Sequence, residues 1–257
     1  MRKFSIYSCV AVQYPIERRI AAIREAGFDS VCLSFEKSLE RTETSWENQL
    51  RLAEKYGLPV VNVHLTGDGM NAVWSEGPEG DAMRDRLIDE LKRMGELGVK
   101  IGVAHVTWGL TQPERCFEAG LHRYEAAVEA AEKYGVQLAL ENSVFPEYVH
   151  FLLESIRSPG LGFCFDSGHE NAFTPGEDYL SRYADILIAM HLHDNDGVRD
   201  LHAMPFHGTV DWTKKAAGLR KSRLSERMLT LECGIEGTPE EGFRAALHEA
   251  KKLADLI

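Results

Sequence analysis

Eight short runs rich in Val, Ile, Leu and Phe recur along the chain, separated by longer segments whose apolar residues repeat at helical spacing. Nothing else in the sequence restricts the fold as strongly, because this alternation is the pattern of βα units around a parallel sheet. The runs are FSIYSC (4–9), SVCLS (30–34), VVNVHL (60–65), IGVAHVT (101–107), QLALEN (137–142), LGFCFDS (161–167), ILIAMHLHD (186–194) and RMLTLEC (227–233). Several of the segments between them end in glycine, at Gly27, Gly57, Gly98 and Gly135, where a helix is expected to stop in a left-handed cap. Eight such units in 257 residues, with no Ser/Pro-rich linker, predict one α/β domain over 1–257, a closed (β/α)8 TIM barrel. A G-x-G-x-x-G loop is missing after the first run, so no nucleotide cofactor is expected.

With 44% hydrophobic and 27% charged residues the chain reads as a soluble globular protein. A formal net charge of −11 disfavours nucleic acid as a partner unless a local patch or bound cations reverse the field. The opening MRKFSIYSCVAVQYP is too short and too polar-interrupted for a secretory signal, and no apolar run reaches the roughly 18 residues of a membrane span. Five cysteines without a C-x-x-C pair fit reduced thiols, so a cytoplasmic location is expected.

In such a barrel the chemistry sits at the carboxyl ends of the strands. Run 3 ends in His64, run 4 carries His105, run 5 closes on Glu141, run 6 on Asp166, run 7 on His191 and run 8 on Glu232, so six consecutive strands offer a metal-ligand type at equivalent places. Carboxylates and imidazoles gathered in a dry mouth are costly unless a cation compensates them. Glu141, Asp166, His191 and Glu232 make a mostly oxygen site suited to manganese, magnesium, cobalt or zinc. Cys164 and Cys233 are expected on the opposite strand face, which argues against a closed structural zinc site. The stretch HLHDNDGVRDLHAMPFHG after run 7 adds His193, Asp194, Asp200 and His202 to the same neighbourhood.

The segments VNVHL, VAHVTWG, LALENS, GFCFDSGHEN, HLHDN, DLHAMPFHGTVDW and TLECG together resemble the xylose isomerase-like barrels, which include sugar and sugar phosphate isomerases and epimerases and the endonuclease IV type of DNA repair enzyme. The resemblance spans runs 3 to 8. It implies a metal on Glu141, Asp166, His191 and Glu232, with Glu141 and Glu232 also serving as the acid and base that move a proton through a metal-stabilised enediolate. It implies further that His169 steadies a substrate oxygen. Additional metals, as in the endonuclease branch, would use His64, His105, His169, Asp200 and His202. That branch holds DNA with arginine- and aromatic-bearing loops that have no clear counterpart after run 2, where the chain reads SFEKSLERTE.

The expected activity is therefore a metal-dependent isomerase or epimerase acting on a small polyhydroxylated carbonyl compound, with an endonuclease IV-like phosphodiester hydrolase as the alternative. Substrate contacts are expected from His64, His105, His169 and His193, from Trp108 and Trp74 as apolar walls, and from Arg199 toward a phosphate or carboxylate. Neither nucleic acid nor membrane is expected as a partner, and a homo-oligomer stays open.

Overall fold

The computed structural model describes residues 2–36 and 43–257. Eight strands form one parallel sheet: β1 Lys3–Tyr7, β2 Ser30–Ser34, β3 Val60–His64, β4 Ile101–His105, β5 Gln137–Glu141, β6 Leu161–Asp166, β7 Leu187–His191 and β8 Met228–Leu231. The hydrogen-bonded order runs from β7 through β6, β5, β4, β3, β2 and β1 to β8. A parallel bridge between Leu192 and Leu231 joins β7 to β8 and closes the barrel. Around it lie α1 Ile16–Ala26, α2 Trp46–Lys55, α3 Pro78–Glu96, α4 Phe117–Tyr134, α5 Pro146–Ser155, α6 Ser167–Phe173, α7 Tyr179–Tyr183, α8 Trp212–Leu219 and α9 Pro239–Ala254. The barrel expected from the alternating pattern is the fold observed. No helix among the described residues is long and apolar enough to cross a membrane.

The anticipated stops are real. Gly27, Gly57, Gly98 and Gly135 have φ of 99°, 64°, 76° and 66°, the left-handed region that a side chain would strain. The strands are shorter than their apolar runs. β7 ends at His191, so His193 and Asp194 leave the ladder and Asp194 instead pairs antiparallel with Ala203. A helix that the pattern did not announce, α6, begins directly after Asp166. At seven residues it is too short for helical periodicity to register, and it is nucleated by the Asp166 side chain, whose Oδ1 accepts from the His169 amide at 2.6 Å.

Between the strands and the helices lies one large apolar core, whose fully buried members include Ile6, Phe28, Phe35, Tyr124, Phe163 and Phe243. A second, small cluster of Val103, Ala139, Cys164 and Ala189 comes one residue from each of β4 to β7. Each lies two positions before His105, Glu141, Asp166 or His191, so the period of two puts both on one face. This corrects the expectation for Cys164, which shares the face of Asp166 rather than opposing it. Burial pushes its thiol well up, so it stays protonated beneath the strand ends.

Trp74 also departs from expectation. It lies at the end of a short 3-10 helix, Met70–Trp74, wholly buried, with its indole nitrogen donating to the Val106 carbonyl at 2.7 Å. A Cβ on Gly120 of α4 would come within 2.3 Å of the indole ring, so the missing side chain opens the slot that the tryptophan fills. It is a core residue, not a pocket wall. Trp74→Ala is expected to cost about 3–5 kcal/mol in urea unfolding; a loss under about 1 kcal/mol would remove Trp74 from the core.

Candidate metal centre

Glu141, Asp166 and His191 are the last residues of β5, β6 and β7, and Glu232 follows β8. In-register pairing sets Asp166 beside His191 and His105 beside Glu141, and the Leu192–Leu231 bridge carries Glu232 to the same level. One ligand atom from each of Glu141, Asp166, His191 and Glu232 lies within 4.8 Å of the others. Nδ1 of His191 is the imidazole atom that faces the carboxylates, 2.9 Å from Glu141 Oε1, 3.0 Å from Glu232 Oε2 and 3.9 Å from Asp166 Oδ2. Its other nitrogen, Nε2, lies 3.0 Å from the Tyr7 hydroxyl.

Neighbouring groups hold these side chains in place. Asn142 copies a strand ladder with its side chain, accepting from the Asp166 amide at 2.8 Å and donating to the Asp166 carbonyl at 2.9 Å. Its own carbonyl accepts from His169 Nδ1 at 2.9 Å, which turns Nε2 of that ring toward Asp200, 3.4 Å away. His193 places Nε2 3.1 Å from the Asp166 carboxylate. That ring lies so close to the backbone that a Cβ on Gly168 would sit 1.9 Å from it. Asp194 is spent inside its own loop, accepting from the amides of Asn195 and Val210 and from the Trp212 indole. His202 holds a left-handed backbone at φ 47° while its ring bridges the Glu232 carbonyl (2.7 Å) and Asp200 (3.1 Å), a strained position at the mouth.

The charges set one another. Burial raises the Glu141 carboxyl, but the imidazoles of His191 and His105 overcome that and hold it well below the usual carboxylate range. Glu232 is likewise buried, yet His191 brings it down to about 2. Burial acts to lower the imidazoles; even so His191 lies well above its ordinary value, raised by the Glu141 and Glu232 carboxylates beside it. His169 is raised well above its own, chiefly by Asp166 and Asp200, and His202 to about 9, chiefly by Asp200. Three carboxylates and one imidazole converging in a buried mouth have the donor chemistry to hold a divalent cation. Glu141 Oε2 fits it: fully buried, it lacks a well-formed hydrogen bond among the described residues, although His105 Nε2 stands 3.1 Å away.

Two cavities open above these side chains. One of about 280 Å³ is lined by Cys9, Ser34, Glu36, His64, His105, Trp108, His169, Asp200, His202 and Glu232. The other, of about 300 Å³, shares His105, Trp108, His169 and Asp200 with it and continues along Leu110, Val144 and Phe173. His64, His105, His169, Trp108, Asp200 and His202 thus lie on the cavity walls, whereas His193 is buried behind Asp166. Arg199 lies outside both cavities, exposed and paired with Asp196 at 2.7 Å. Of SFEKSLERTE, residues 37–42 fall outside the described part. Tyr7, Asn62, Asn142 and Glu36 were not anticipated. Tyr7 and Asn142 could have been, since one ends β1 and the other follows Glu141 directly.

Comparison with known proteins identifies the family of the fold. The family described as xylose isomerase-like TIM barrel matches residues 20–253. An uncharacterized protein of Sinorhizobium fredii, y4fM, is 29% identical over 232 residues, covering 77% of this chain and 74% of that one. Among solved structures, a D-tagatose 3-epimerase-like protein superposes with a TM-score of 0.73 at 20% identity, covering 99% of this chain and 96% of that one. The IOLI protein with a binding zinc atom superposes with a TM-score of 0.80 at 16% identity over 98% of both chains.

Metal binding is expected to be pH-dependent. The surrounding carboxylates raise the His191 imidazole well above its ordinary value, and it must lose its Nδ1 proton to bind a cation, so protons compete with the metal as pH falls. Mn²⁺ affinity measured by calorimetry should rise steadily from pH 6 to pH 8, with proton release visible as a dependence of the heat on the buffer. A flat profile would exclude His191 as a ligand.

Proposed function

The chain belongs to the xylose isomerase-like TIM barrel family, and from that premise we propose that it is a metal-dependent isomerase or epimerase of a small polyhydroxylated carbonyl compound. The observation that carries this reading is the convergence of Glu141, Asp166, His191 and Glu232 beside a cavity of about 280 Å³, which Glu232 itself lines and whose His64, His105 and His169 walls lie within 3.5 Å of Glu141. The likeness to a D-tagatose 3-epimerase-like protein and to a zinc-bearing IOLI protein supports it.

Glu141, Asp166, His191 and Glu232 would hold the divalent cation, which would supply the electrophile that makes a C–H beside a carbonyl acidic enough to ionise. Glu141 and Glu232, both ionised, come from strands on different sides of the mouth and would face a bound substrate from two directions. One carboxylate would take the proton from carbon and pass it to solvent after turnover, and the other, having first taken a proton from solvent, would return that proton to carbon. His64, His105 and His169 line the walls as donors to substrate oxygens, and Trp108, tilted over His105 with centroids 5.2 Å apart, gives an apolar face.

A specific observation favours a second reading. His193, Asp200 and His202 form another group able to hold an ion, and Glu141 is shared with two further groups, His64–His191 and His105–His169. A site with several metals is the architecture of phosphodiester hydrolysis.

Metal analysis of purified protein separates the two, with about one ion per chain expected for the isomerase and about three for the hydrolase. A panel of ketoses, inososes and keto-acids in deuterated water should show solvent deuterium entering carbon. Glu141→Gln and Glu232→Gln should each slow that exchange by about 10²–10⁴-fold with the fold intact by circular dichroism. Abasic DNA cleaved while no compound exchanges would overturn the isomerase reading.

A further inference from the structure

The imidazole of His191 can serve a cation through Nδ1 only if that nitrogen is bare, so something must keep the remaining proton on Nε2. Two residues with no place in the reaction just described are positioned to do this. Tyr7, at the end of β1, stands edge-on to the His191 ring, with centroids 4.9 Å apart and planes at 89°. Its hydroxyl lies 3.0 Å from His191 Nε2 and 3.1 Å from Oδ1 of Asn62 on β3. Tyr7 is fully buried and Asn62 nearly so, and neither lines either cavity above the site. A tyrosine hydroxyl has one proton to give. Here it goes to Asn62 Oδ1, so the oxygen must accept from the imidazole, and Nε2 is the nitrogen that carries hydrogen.

We propose that Tyr7 and Asn62 form a buried relay whose purpose is to fix the His191 tautomer and present a bare Nδ1 to the metal. The proposal rests on the reading of Glu141, Asp166, His191 and Glu232 as a cation site. The relay comes from β1 and β3 rather than from the ligand's own strand, and neither residue lines a cavity above the site, so it braces the ring without occupying substrate space. Ring placement is over-determined as a result: three carboxylate oxygens face one nitrogen and a hydroxyl faces the other. Tyr7 and Asn62 are positioning residues, acting on the cation only through His191. Removing the hydroxyl leaves an Nε2 proton buried without an acceptor. Removing the Asn62 carbonyl frees the tyrosine proton to turn toward Nε2, which favours the tautomer with hydrogen on Nδ1.

The test uses metal alone. In the zinc-loaded protein, nitrogen NMR of ¹⁵N-histidine should find His191 protonated at Nε2 and ligated at Nδ1; the opposite assignment overturns the proposal. Calorimetric titration with Mn²⁺ and Zn²⁺ should show Tyr7→Phe and Asn62→Leu binding about 10–100-fold more weakly than the unaltered protein. Thermal unfolding of the metal-free variants reports whether each has folded, and Asn62→Leu, which keeps the tyrosine, guards against a packing effect of the other change. Variants that fold and bind as tightly as the unaltered protein overturn the relay while leaving the metal site standing. An unaltered protein that binds neither ion removes the metal site itself.

Discussion

Leu192 pairs in parallel with Leu231, and Glu232 donates its amide to the Leu192 carbonyl at 3.2 Å. The site depends on that closure. β5, β6 and β7 are consecutive neighbours, so Glu141, Asp166 and His191 would share an edge even in an open sheet. Glu232 belongs to the other end of the strand order, beyond β1. Only when the sheet curls until β8 meets the chain after β7 does the fourth carboxylate arrive, and with it Tyr7 from the adjoining β1. Barrel closure and assembly of the four-residue cluster are one event.

The convergence is electrostatically costly, and the surroundings show how it is borne. Glu141 and Asp166 are fully buried, yet imidazoles from several strands lie within a few ångströms of them. Burial alone would push the Glu141 and Glu232 carboxyls up and the His191 imidazole down; packed together, the imidazole holds both acids low and they hold it high. The same residues serve twice. Asp166 caps α6 with one oxygen and faces the ligands with the other, so the helix that carries His169 starts where the site needs it. Small side chains in the layer below, Val103, Ala139, Cys164 and Ala189, leave room for this crowded polar floor.

Much of this was legible in the chain. The eight apolar runs, the glycine stops and the ligand types at equivalent strand ends led to the barrel and to its mouth. Where the reading failed, short range was the cause. α6 has too few residues for a periodic signal and owes its start to Asp166. Trp74 reads as a pocket wall until Gly120, far along the chain in α4, proves to leave a slot for it in the core. Asp194 looks like one more candidate ligand, but its three acceptor bonds go to Asn195, Val210 and Trp212, so the HLHDN stretch that begins with His191 also contains a purely architectural aspartate. Cys164 was legible and was misplaced, since two residues along a strand return to the same face.

What the sequence determined by itself was the number of βα units and the chemistry at their ends, because a period of two, a period near 3.6 and a terminal residue are local properties of the chain. What only the tertiary structure decided was which nitrogen of which histidine faces which oxygen. Tyr7 and His191 are 184 residues apart and His191 and Glu141 are 50 apart, and no local pattern encodes the ring orientation that brings each pair within 3.0 Å. Tautomer and ligand geometry depend on hydrogen bonds across the closed barrel, and these exist only after the strands have been brought into register.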